Sequence, residues 1–136
     1  MVLILCNKIH CSEWNVRNVR DNLRKGNREY RKENYDDALQ KYLLAETARP
    51  NLPETALNLG NVYYKTGDYE GALKSYEKAT YSKDIELQSK AYYNIGNALF
   101  RMEKLPEAIQ FYKKALELNP DDQDVKFNIE FAQKKL

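Results

Sequence analysis

The side chains best equipped for chemistry are few and sit near one end of the chain. The one histidine, His10, lies between the two cysteines, Cys6 and Cys11. Thiolate and imidazole together suit zinc, but a zinc site takes four ligands, usually as two close pairs. No second pair exists here, so no metal is expected; a disulfide between Cys6 and Cys11 stays open on spacing alone. Asp121, Asp122 and Asp124 cluster, yet they lack the glycine and closing glutamate of a calcium loop. They read as residues capping the start of a helix. No nucleophile can be paired with a base and no glycine-rich phosphate loop occurs. The chain is read as a non-enzyme, with no catalytic residue and no cofactor.

Composition points the same way. The chain has 136 residues, 43% hydrophobic and 31% charged, with 22 Lys and Arg against 20 Asp and Glu, for a net charge of +2. That balance suits one soluble globular domain rather than a disordered chain. No apolar run approaches the ~18 residues of a membrane span. Charge is balanced locally as well, whereas a nucleic-acid binder carries a marked basic excess over its domain. No nucleic-acid partner is expected. Tyrosine is the anomaly, with 11 copies against one Trp.

A repeat accounts for the tyrosines. Gly26-Asn27 recurs as Gly60-Asn61 and Gly96-Asn97, at periods of 34 and 36 residues. Ala38, Ala72 and Ala108 follow each glycine by 12; Tyr42, Tyr76 and Tyr112 come four later, and Ala45, Ala79 and Ala115 three after those. Apolar and small residues recur at three- and four-residue spacing, which is helical. Helices are expected at about 18–32, 36–48, 53–66, 70–81, 86–102, 106–118 and 122–135, with ends good to ~2–4 residues. Thr66-Gly67-Asp68 is a turn signal; Glu33 and Glu103 stand in the same place in the other units. Two extra residues fall around 80–88, so the third pair is expected to be rotated slightly against the second.

This punctuation resembles the tetratricopeptide repeat (TPR) family over roughly residues 19–122. The resemblance implies an all-α, right-handed superhelical solenoid of three helix pairs, with repeats at about 19–52, 53–88 and 89–122. A capping helix at 123–136 would cover the open end with Phe127, Ile129 and Phe131. Residues 1–18 form a separate N-terminal segment, with Trp14 packed against the first pair.

The family lines a concave groove with the first helix of each pair. Here that set is Arg20, Leu23, Arg24, Asn27, Tyr30 and Arg31; then Glu54, Leu57, Asn58, Asn61, Tyr64 and Lys65; then Lys90, Tyr93, Asn94, Asn97, Phe100 and Arg101. Six are basic and one is acidic. Asparagine offers both donor and acceptor to a peptide backbone, and the rings offer apolar contact. The expected function is an interaction scaffold that binds a peptide, acidic or extended, in this groove. Some family members clamp acidic C-terminal tails with Lys, Asn, Asn, Lys and Arg. Asn27, Asn58 and Lys90 match, whereas Leu23 and Asn94 replace the first Lys and the Arg. The rival readings are self-assembly into end-to-end or helix-swapped oligomers and single-stranded nucleic-acid binding by rings among basic residues.

A second resemblance lies in the run from Leu87 to Arg101 and in Asp124 to Ala132. Both are similar to repeat proteins of bacterial aerotolerance operons. It implies a membrane-anchored von Willebrand factor A-type partner and export. Val2-Leu3-Ile4-Leu5 is too short for a signal core by itself. The chain is therefore read as cytoplasmic by default, or as exported if Met1–Ser12 is the tail of a signal peptide.

Overall fold

The computed structural model of the chain describes residues 8–136, with side chains from residue 11 onward. Among the described residues there are seven α-helices and no strand. They are α1 (Lys8–Arg31), α2 (Tyr35–Ala48), α3 (Pro53–Lys65), α4 (Tyr69–Ala79), α5 (Ile85–Arg101), α6 (Leu105–Leu118) and α7 (Gln123–Lys135). Two compact units result: α1 and α2 in the part ending at Asn51, and α3 to α7 in Leu52–Leu136.

Each pair is closed by one recurring contact. Gly60 in α3 faces the Tyr76 ring of α4 so closely that a Cβ on it would sit 2.4 Å from Cδ1. Gly96 meets Tyr112 of α6 in the same way, at 2.5 Å, and Gly26 meets Tyr42 of α2 at 2.5 Å. A bare backbone lets the ring lie flat on the helix, and each tyrosine is 2% exposed. Each hydroxyl then donates to the asparagine after the glycine: Tyr42 to Asn27 Oδ1 at 2.7 Å, Tyr76 to Asn61 at 2.9 Å and Tyr112 to Asn97 at 2.8 Å. Fully buried alanines fill the rest of each crossing, which permits close helix packing.

The turns inside the pairs repeat too. After α5, the Lys104 amide donates to Leu99 O and the Glu103 amide to Phe100 O, which is the Schellman pattern. Gly67 takes the left-handed position after α3 with φ 85°, but Glu103 and Glu33 hold it with φ 61° and 63°. Asp68, Asp84 and Asp122 cap α4, α5 and α7 through their side chains.

Two expectations need correction. Helix α1 starts at Lys8 and not near residue 18, so residues 8–18 continue it instead of forming a separate arm. At 24 residues against 14 for α2, α1 outruns its partner by about 15 Å at ~1.5 Å per residue. Trp14 sits on this overhang, 64% exposed, and does not pack on the pair. Residues 1–7, with Cys6 and the apolar Val2–Leu5 run, lie outside the described residues. The second correction concerns α7. Val125 and Ala132 are its fully buried residues and Ile129 packs beside the core. Phe127 and Phe131, offset by two positions from that stripe, point outward at 64% and 44% exposure.

Two substitutions test this account. Gly96→Ala gains about 1 kcal/mol of helix propensity but drives a methyl into the Tyr112 ring. A net loss of about 1–3 kcal/mol is expected in urea unfolding; an unchanged midpoint would mean that the ring is free to move. Glu103→Gly relieves a side chain in the left-handed region, and the unfolding midpoint should rise by about 1 kcal/mol equivalent.

Candidate functional site

In the first unit, α1 carries the basic residues named from the sequence. Arg20, Arg24 and Arg31 are exposed, with Arg24 paired to Asp21 at 3.4 Å. Tyr30 is partly buried and meets Tyr35 edge-on at 5.5 Å. Burial, and then the neighbouring Tyr35, raise its phenol above the ordinary range. Asn27 accepts from Tyr42. Leu23 is only 8% exposed and belongs to the core, so it leaves the groove set.

The second unit brings more of the set together. Asn61 Oδ1 accepts from Tyr76 and also from Asn94 Nδ2 at 3.1 Å. One repeat later, Asn97 Oδ1 accepts from Tyr112 and from Asn128 Nδ2 at 3.2 Å. Asn128 also donates to the Tyr93 hydroxyl at 3.1 Å, and Tyr93 lies against Tyr112 at 5.9 Å. The expected acceptor role of Asn61 and Asn97 is therefore taken up inside the protein. What these two can still offer a ligand is the donor half of the carboxamide. Asn94 is committed to Asn61 and cannot stand in for a clamp arginine. Asn58 is partly buried on α3.

Tyr64, Asn97 and Arg101 converge on one pocket of about 250 Å³, joined by Phe100, Phe127, Asn128 and Phe131. Phe100 and Phe131 approach at 5.7 Å, and Phe131 stacks on Phe127 at 6.0 Å. Lys135 stands over this aromatic surface, 5.3 Å from Phe100 and 5.4 Å from Phe131, while Arg101 lines the pocket and lies 5.4 Å from the ring of Tyr69, which does not line it. Tyr64 is raised chiefly by burial, with the Arg101 charge working against the shift. Lys65 and Lys90 do not line this pocket. Lys65 is exposed at the end of α3, and Lys90 is paired with Glu86 at 2.9 Å.

Sequence reasoning missed the α7 contribution of Phe127, Asn128, Phe131 and Lys135. The signal was present, since Asn128 follows Asn94 by 34 residues. Among the described residues no cluster of three or more His, Cys, Asp or Glu could hold a metal ion. No described helix is long and apolar enough to cross a membrane.

The buried Tyr112 gives a pH prediction. Burial first, then Tyr93 and Tyr64, raise its phenol well above the ordinary 10.0. Above that value the unfolded chain ionises while the folded one does not, so stability present at neutral pH drains away as the solution becomes alkaline. Tyr112→Phe should lose about 1 kcal/mol at neutral pH with its hydrogen bond. It should then lose less than the wild type between about pH 9 and about pH 11. Parallel stability–pH curves would refute the assignment.

Comparison with known proteins agrees with this architecture. A TPR repeat family matches residues 26–67, and tetratricopeptide repeat families match 53–84 and 89–122. Together they cover more than half of the chain. Small glutamine-rich tetratricopeptide repeat-containing protein 2 of Mycosarcoma maydis is 27% identical over 111 residues, 82% of this chain and 31% of that protein. RNA polymerase II-associated protein 3 of Mus musculus is 30% identical over 103 residues, 72% of this chain and 14% of that protein. The chain thus spans less than a third of either relative. The first TPR of Spaghetti (RPAP3), solved bound to the HSP90 peptide SRMEEVD, shares the fold with a TM-score of 0.81. It is 24% identical, and the alignment covers 88% of this chain and 93% of that one. Three matched repeats, each built on a glycine, a buried tyrosine and an asparagine, make this chain an all-α member of the tetratricopeptide repeat family.

Proposed function

We propose that the chain is an interaction module that docks a peptide on the α3, α5 and α7 face of its second unit. The peptide we propose is acidic, with an apolar side chain among the acids. The observation that carries this reading is the exposure of Phe127 and Phe131 in the same pocket as Arg101. Rings left in water beside a cation do little for folding, but they suit the apolar anchor and the carboxylate of a ligand. The donors of Asn61 and Asn97 would hold backbone carbonyls nearby. On α1 of the first unit, Arg20, Arg24, Asn27, Tyr30 and Arg31 supply the same residue types, and we propose them as that unit's own binding residues; within the second unit we include Asn58, Lys65, Lys90, Tyr93 and Asn94.

The likeness to a domain that holds an acidic HSP90 peptide supports peptide docking as something this fold accommodates. The mode differs, because the buried Leu23 and the committed Asn94 break the two-carboxylate clamp. In this reading recognition passes instead to Arg101, about two turns beyond Asn94 on α5, and to Lys135 on α7. Segments of membrane-anchored von Willebrand factor A-type proteins are the partner class that the second sequence resemblance puts forward.

A displayed library of random heptapeptides, selected on the immobilised protein, tests the reading. Enriched sequences should place Asp or Glu next to an aliphatic or aromatic residue. Arg101→Glu should weaken the best of them about tenfold or more, and Phe131→Ala should do so as well, with circular dichroism unchanged. Arg101 and Phe131 are the residues of choice because truncating Asn97 would also remove the acceptor of a buried tyrosine. Peptides that bind both variants as well as wild type would refute the site. A mass that grows with concentration in light scattering would then favour self-assembly.

A further inference from the structure

The second unit has a larger depression on another side, lined by residues of α4, α5 and α6 and enclosing about 590 Å³. Helix α5 supplies its floor through Ile95 and Leu99, which are 5% and 7% exposed. Leu73 on α4 and Phe111 on α6 form facing apolar walls. From the geometry we infer that this groove is a second docking site, for an amphipathic helix of a partner protein. That helix would carry an apolar stripe flanked by a basic residue for Glu77 and an acidic residue for Lys114.

The groove has an origin in the sequence. Gly26 and Gly60 are 34 residues apart, but Gly60 and Gly96 are 36 apart. The turn between α4 and α5 falls within that longer interval and is built rather than slack. Gln88 Nε2 donates to Thr80 O at 3.0 Å, and Ser82 Oγ accepts from the Asp84 amide at 3.1 Å. At the mouth so formed, Tyr81 stands 80% exposed, and Ile85 just beyond it is 61% exposed.

The rim charges argue for a partner of defined polarity. Glu77 on α4 and Lys114 on α6 face the same groove from opposite walls. Neither belongs to a salt bridge among the described residues. Lys114 rests on apolar surface, 4.8 Å from the Phe111 ring and 5.6 Å from Tyr92. A carboxylate brought there would meet a cation that is in no salt bridge among the described residues, and a basic side chain opposite would meet Glu77.

The walls also select a helix over an extended strand. Helices satisfy their own backbone groups, so a strand laid in this groove would find no main-chain partners. Leu73 and Glu77 stand one turn apart on α4, with Tyr81 in the turn beyond its end, and the groove beside such a row accepts the ridge of another helix. The site uses the Tyr92, Ile95 and Leu99 side of α5, whereas the proposed peptide pocket uses Asn97, Phe100 and Arg101. The two can therefore fail separately.

The test is a displayed library of amphipathic helical 16-residue peptides with randomised apolar and flanking positions, followed by NMR on the isotope-labelled protein. Enriched peptides should shift Leu73, Tyr81, Ile95 and Phe111. Lys114→Glu should weaken them about tenfold, and peptides with the facing acid changed to Lys should recover that loss. Arg101→Glu should leave them unaffected. Three results overturn the inference: no enrichment, shifts confined to the Arg101 pocket, or affinity indifferent to Lys114→Glu. A concentration-dependent mass abolished by Lys114→Glu would assign the groove to a second copy of the chain and also overturn it.

Discussion

Everything in this fold depends on a tyrosine ring lying against a bare stretch of helix. The glycine at each crossing lets the ring approach the backbone directly. The hydroxyl then has to find a partner, because a buried phenol without one is costly. The adjacent asparagine supplies it. Gly60, Asn61 and Tyr76 therefore form one unit of structure, as do Gly96, Asn97 and Tyr112. The alanines around them are small for the same reason, since a larger side chain would hold the helices apart.

That requirement shapes what is left for binding. Because the tyrosine takes the asparagine's acceptor, α3 and α5 are left with mainly donors, cations and ring edges on that face. A second series of asparagines, Asn94 on α5 and Asn128 on α7, fills the remaining acceptor capacity. The face is thus rich in positive character without a large net charge in the sequence. The residues that the repeat does not constrain include Arg101, Phe127 and Phe131, which share one pocket.

The helix pairs were legible because one contact demands the same residue types each time it recurs. Glycine, tyrosine and alanine at fixed offsets announce the crossing, and the left-handed turn positions follow even where Glu33 and Glu103 replace glycine. The start of α1 was not legible, since α1 outruns α2 and residues 11–18 carry no buried periodicity. The outward aim of Phe127 and Phe131 was hidden for a related reason. Two of the chain's four phenylalanines look like core by type, and only the choice of Val125 and Ala132 as the buried stripe turns them to water. Asparagine at a groove position likewise looks available until its neighbour's hydroxyl is placed.

The overhang of α1 has a spectroscopic side. The chain's single tryptophan stands there, largely in water, so its emission changes little when the cores come apart. The signal that follows cooperative unfolding comes from the tyrosines, three of which are sealed in the helix crossings. Near-ultraviolet tyrosine bands and indole emission will thus report different events, and their disagreement would reflect where the chromophores stand rather than an intermediate.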